Sequence, residues 1–190
     1  MTTPSPVTGL HHVTAIAGDA ARNRAFHAGV LGQRLVKRTV NFDDPGTWHL
    51  YYGDATGAAG SVLTFFPWAH APKGAPGAGQ AALTQFAVPP GALPFWRDRL
   101  AAAPGARLLT EAEEVFGQRR TVFADPDGLR LALVETDDPR TPWTAPETPA
   151  EVALRGFHGV TLALHEGETT ARILAEALGY AETGRDPARD

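Results

Sequence analysis

The feature that most restricts the fold is a repeat. "GLHHVTAIAGD" (Gly9–Asp19) and the helix-like run after it return downstream as "GFHGVTLALHEGETTARILAEALGY" (Gly156–Tyr180). Laid without gaps, Gly9, His11, Val13, Thr14, Ala28, Leu31 and Gly32 coincide with Gly156, His158, Val160, Thr161, Ala175, Leu178 and Gly179. The spacing is constant, since 156 − 9 and 179 − 32 both give 147. Identities spread over a strand, a helix and the glycine that stops it mark a duplicated unit.

The first unit can be read in full. Strand "GLHHVTAIA" leads to Asp19, placed to cap the helix "AARNRAFHAGVL", which stops at Gly32. Three strand-like runs follow, "QRLVKRTVNF", "WHLYYGD" and "SVLTFFPW". The expected organisation is a βαβββ module over residues 8–68, a Gly/Pro-rich connection, and a diverged module over 80–136. A proline-rich linker (137–154) and an incomplete third module (155–190) complete it. The fold class is α+β, with tandem modules forming curved mixed sheets and helices on their convex sides. A βα half-module cannot complete a sheet, so either the chain is a fragment of a longer protein or residues 155–190 pack on another chain or fray, which leaves a homo-oligomer open.

Composition removes several functional classes. With no cysteine, disulfides, thiolate metal sites and a cysteine nucleophile are excluded. A net charge of −4 leaves no basic stripe for nucleic acid. "MTTPSPVT" lacks the apolar core of a signal peptide, and no apolar run reaches the ~18 residues of a membrane span. The expected location is the cytoplasm.

Chemistry concentrates on the first strand. Alternation places Leu10, His12, Thr14 and Ile16 on one face and His11, Val13, Ala15 and Ala17 on the other. The two histidines are therefore expected to face opposite ways. Imidazole suits divalent first-row metals, but one histidine is not a site, which needs three or more protein ligands.

The module grammar together with "GLHHVTAIAGD", "GVLGQRLVKRTVNFDDPGTWHLYYGD", "FGQRRTVFADPDGLRLALVE" and "RGFHGVTLAL" resembles the vicinal oxygen chelate superfamily (glyoxalase/bleomycin-resistance/dioxygenase fold). Within it, the chain is most similar to ring-cleaving dioxygenases of hydroquinone-type or catechol-type aromatics. The resemblance implies a four-module protein holding Fe(II), with Mn(II) as the alternative, through two histidines and a glutamate. It would act on a small aromatic diol and O₂. By position His12 matches the metal ligand, and His11 and Thr14 match neighbouring active-site positions. The other two ligands belong to a fourth module, outside this chain.

The modules present offer no replacements. Where a module-closing strand would carry the ligand glutamate stands Ala132, and Glu135 has the opposite parity and reads as solvated. Module two has Thr84 and Gln85 where a histidine is wanted, and in module three His158 aligns with His11 while Gly159 takes the ligand position. A metal-free small-molecule-binding member and an inactive truncated fragment are thus the alternatives to an oxygenase. His49 and Tyr51 share a strand face and could orient a phenol, though packing is the favoured reading. His27 and His70 are expected to be exposed. Ser5 and Ser61 lack a triad setting, and Asp125 and Asp127 of "DPDG" read as turn formers.

Overall fold

The computed structural model describes residues 7–186. Strand β1 (His12–Ala17) ends where Asp19 caps α1 (Ala20–Arg24), its carboxylate accepting from the Arg22 amide at 2.7 Å. The helix widens into a π-helical stretch (Ala25–Val30), with Leu31 N–H donating five residues back to Phe26 C=O. Gly32, at φ 68°, turns the chain where a side chain would be strained. Next come β2 (Arg34–Val40), β3 (Trp48–Gly53) and β4 (Val62–Pro67). They form a sheet ordered β1-β4-β3-β2, with β1 parallel to β4 and the other pairs antiparallel.

The second unit repeats this plan with β5 (Gln80–Val88), α2 (Leu93–Ala102), β6 (Arg107–Leu108), β7 (Glu113–Val115), β8 (Gln118–Ala124) and β9 (Arg130–Glu135). The run "ARLLTEAEEV", where the module plan calls for one strand, forms two, β6 and β7. The third unit contributes β10 (Phe157–Ala163) and α3 (Glu168–Glu176). β10 does not wait for a module of its own; it pairs antiparallel with β5, extending the second sheet to β10-β5-β9-β8-β6. Of the alternatives for this segment, fraying fails for β10, because the edge of β5 supplies a ladder for its backbone groups, whereas α3 buries no side chain. Residues 187–190 lie outside the described part.

The two full units meet through their helical sides. One continuous core contains Phe26, Leu50, Tyr52, Leu63 and Phe65 of the first unit with Phe86, Trp96, Leu100, Phe123 and Leu133 of the second. Each such side chain contributes about 1.5–3 kcal/mol by leaving water. Arg99 on α2 fastens the contact, its guanidinium donating to the carbonyls of Val30 (2.6 Å) and Gly29 (2.8 Å) at the end of the first helix. The non-helical faces of the two sheets are left outside this core. No strand joins the first sheet to the second among the described residues, and β1 pairs only with β4. No described helix is long and apolar enough to cross a membrane.

Candidate functional site

The first sheet's open face is built by strict alternation. Along β1, Val13 and Ala15 pack against the core and Ala17 is buried, whereas His12, Thr14 and Ile16 are exposed. The division of β1 therefore follows the sequence pattern from His12 onward. His11 departs from it. The strand begins at His12, so parity does not govern His11, and its Nδ1 comes to 3.0 Å from Nδ1 of His12 with the rings edge to face. The expected opposite facing of the two histidines is corrected on this point. Their neighbourhood is held from below, as the Gly60 amide donates to His11 C=O at 2.8 Å.

A row of side chains crosses all four strands beside this pair. Register aligns Thr14 with Thr64, Thr64 with Tyr51, and Tyr51 with Lys37. Tyr51 Oη lies 2.8 Å from His49 Nδ1, His49 Nε2 lies 3.1 Å from Thr64 Oγ1, and Thr64 donates to Thr14 Oγ1 at 2.9 Å. Phe66 packs against the imidazole, with ring centroids 4.1 Å apart, and Lys37 sits over the Tyr51 ring at 5.2 Å. Burial lowers the His49 pKa below its ordinary value of 6.5, and the positive charges of Lys37 and His12 push the same way. Packing alone thus understates His49 and Tyr51, which are hydrogen-bonded as well as stacked. Thr64 and Lys37 escaped the sequence reading, although period-2 alternation on β2 and β4 was the signal that could have found them.

Other expectations change as well. His27 is not exposed but fully buried; its Nδ1 is 3.0 Å from Gln33 Oε1 and its Nε2 3.4 Å from Asp125 Oδ2. Asp125 is still a turn former, accepting from the amides of Asp127 and Leu129, but its second oxygen reaches across to the first unit. Glu135 is not solvated: its side chain is 8% exposed and accepts from the amides of Gly91 and Leu93, capping α2 from outside. His70 is exposed, as expected. Ser61 donates to Ala58 C=O with no histidine among its hydrogen-bond partners, and Ser5 lies outside the described residues.

On the second sheet, Gln85 and Ala132 are register partners on the open face, while Thr84 is buried. There Leu83, Val122 and Ala132 form a small apolar cluster, and Arg120 pairs with Glu113 at 2.7 Å and donates to Gln85 at 3.2 Å. His158 is 3.0 Å from Gln118 Oε1. These residues surround a cavity of about 720 Å³. A carboxylate, an amide and one imidazole bound to it do not form a three-ligand set. Among the described residues no group of three or more His, Asp or Glu side chains is placed to hold a metal. A divalent ion would find one fitting donor on the first sheet, His12, beside an imidazole able to fix its tautomer.

Comparison with known proteins agrees with this architecture. The chain is 44% identical over 181 residues to the "Putative ring-cleaving dioxygenase MhqO" of Bacillus subtilis (strain 168), covering 94% of this chain and 56% of that protein. It is 37% identical over 191 residues to the chlorohydroquinone/hydroquinone 1,2-dioxygenase of Sphingobium indicum, covering 98% of this chain and 59% of the relative. The chain thus spans less than two thirds of the length of these curated relatives. A crystal structure titled as a putative dioxygenase from Bacillus subtilis superposes with a TM-score of 0.90 at 43% identity, over 96% of this chain and 58% of that one. The family model of the Glyoxalase/Bleomycin resistance protein/Dioxygenase superfamily matches residues 9–133. The duplicated units, the mixed sheets and these likenesses converge, and the chain belongs to the Glyoxalase/Bleomycin resistance protein/Dioxygenase superfamily.

Proposed function

We propose that this chain forms the amino-terminal part of a non-haem, metal-dependent dioxygenase that opens the ring of a small aromatic diol with O₂. Fe(II) is the assigned ion and Mn(II) the alternative, with His12 as one protein ligand and His11 and Thr14 beside it. The observation that carries the reading is the setting of His12: an exposed imidazole on the open face of a strand whose outer edge has no partner among the described residues. Within this same chain, the equivalent edge of β5 is covered antiparallel by the first strand of another unit. A further unit docking on β1 in the same way would bring its own side chains over the His12 face and complete the ligand set.

The residues present have definite tasks. With a proton on His12 Nδ1, shared with His11 Nδ1 at 3.0 Å, the His12 Nε2 lone pair is the one left for a metal. His11 is then a positioning residue that sets the tautomer. The metal, when bound, brings diol and O₂ together and accepts charge from the ring. Thr14 offers a hydroxyl two residues along the same face, already tied to Thr64.

The test is metal content and O₂ uptake with hydroquinone, measured on a protein extended to the length of its relatives. Stoichiometric iron or manganese and ring cleavage, both lost in His12→Ala, are expected. A metal-replete protein that cleaves no diol, or a metal content unchanged by His12→Ala, sinks the reading. The cavity on the second sheet favours a second reading, metal-free binding of a small apolar molecule, since its volume falls in the range of ordinary ligand pockets. Saturable binding of hydroquinone without metal or turnover would select it.

A further inference from the structure

The hydrogen bonds on the first sheet form one unbranched path, Tyr51 to His49 to Thr64 to Thr14, across three strands. Every member has both a donating and an accepting role, and every link is between 2.8 and 3.1 Å. Neutral imidazole has one N–H and one lone pair, so the whole path must point one way at a time. In one orientation Tyr51 donates to His49 Nδ1, His49 Nε2–H to Thr64, and Thr64 to Thr14. In the other, every proton sits one place back. Passing between them moves one proton in at one end and one out at the other, with no net charge left on the path. Thr64 in the middle is fully buried, so no water substitutes for its hydroxyl. The ends differ: Thr14 is exposed on the His12 face, and Tyr51 lies under the exposed ammonium of Lys37.

We propose that Thr14, Thr64, His49 and Tyr51 form a proton relay that takes up the proton released when an acidic hydroxyl compound seats beside His12 and delivers it to solvent on the Lys37 side. The O–H bond of the bound hydroxyl breaks and an O–H bond to Thr14 forms. Uptake starts from the second orientation, in which Thr14 donates to Thr64. Thr14 passes its own proton to Thr64, Thr64 to His49 Nε2, His49 Nδ1–H to the Tyr51 oxygen, and Tyr51 to water, which leaves Thr64 donating to Thr14 as the structure has it. No electron changes hands. Phe66 and Tyr51 both pack against the imidazole, each with ring centroids 4.1 Å away, which restricts its rotation. Lys37 disfavours a positive charge resting on His49, so the proton moves through rather than staying. The group at risk of being mistaken for the relay's base, His12, reaches His49 only through its charge. The identity of the hydroxyl compound as an aromatic diol rests on the function proposed above; the relay itself does not.

Exchange of the His49 ring N–H with water, followed by NMR in this chain, separates a relay from packing. In a relay, Tyr51→Phe removes the exit, and exchange slows by about tenfold or more. In a packed histidine the same substitution removes a hydrogen bond and loosens the ring, so exchange quickens. Unchanged or faster exchange overturns the proposal. The second arm uses 4-nitrocatechol, whose colour reports ionisation, with metal-loaded protein extended to the length of its relatives. Proton release to bulk should slow by roughly 10²-fold in Thr64→Val and recover in Thr64→Ser, which restores the hydroxyl. Equal rates in the two variants overturn the relay. A probe that ionises with none of the proteins, wild type included, counts against the diol reading, and the ring exchange then judges the relay alone.

Discussion

The open faces of the two sheets grew from one repeated unit and differ in what they keep. The first presents His12, Thr14, His49 and Tyr51 around an edge strand whose outer side has no partner among the described residues. The second has that side covered by β10 and carries Leu83, Val122 and Ala132 with a compensated Arg120–Glu113 pair. Both sheets turn their other faces into one shared core, so they fold on common terms and diverge only where they meet solvent or ligand. Imidazole and hydroxyl groups line the face whose edge strand has no outer partner among the described residues, and a solvent-connected cavity of about 720 Å³ lies on the face that carries Gln85.

The sharpest way to break this comparison is to exchange the roles of equivalent positions. Under the proposed function, and in a protein extended to the length of its relatives, His12→Ala should abolish metal retention and reduce ring cleavage by more than ~10²-fold, since loss of even an outer partner costs 10–100-fold. Gln85→Ala on the other sheet should leave both unchanged in the same assays. Equal losses would mean that the two faces are not divided as described.

Next in size is the shared core. Trp96→Ala empties a fully buried site between the units and should cost ~3–5 kcal/mol in denaturant unfolding. Because the core is continuous, one transition should move as a whole; separate transitions for the two units would contradict a common core. His27→Ala leaves Asp125 buried without its cross-unit partner and should cost about 1–3 kcal/mol. Asp127→Ala removes only the same turn's ion pair with the solvent-exposed Arg22 and should cost less.

A smaller effect concerns the two strand edges. Amides of β1 that point away from β4 should exchange with solvent faster than those of β5 that are bonded to β10. Protection of β1 equal to that of β5 would show that its outer edge is already occupied. The smallest effect is in pH. His49 and His158, one on each open face, both have pKa values lowered from 6.5, in each case first by burial. The unfolded chain therefore binds more protons than the native one in the window below 6.5. Their contribution to stability is complete above 6.5 and declines as pH falls toward the lowered native values. A His158→Gln variant should flatten part of that slope, and a stability that rises on acidification through the window would refute the sign.

Much of this molecule is written locally. The repeat predicts the module plan, Asp19 and Gly32 bound the first helix, and alternation divides β1 from His12 onward, because capping, glycine geometry and strand period act within a few residues. The partnership of β10 with β5 is not written that way, since any strand with a free edge would satisfy the same pattern. His27 reads as a surface residue until Asp125, far along the chain, is brought against it. Glu135 reads as solvated until the amide end of α2 arrives. The relay path needs the registers of three strands at once, and His11 meets His12 because the strand starts at His12, three residues later than the Gly9 start the pattern suggests. What the sequence alone determined is which residues could serve and which unit they belong to. Which of them touch was decided by the tertiary structure, because hydrogen bonds and buried charges are fixed by partners whose distance along the chain carries no periodic signal.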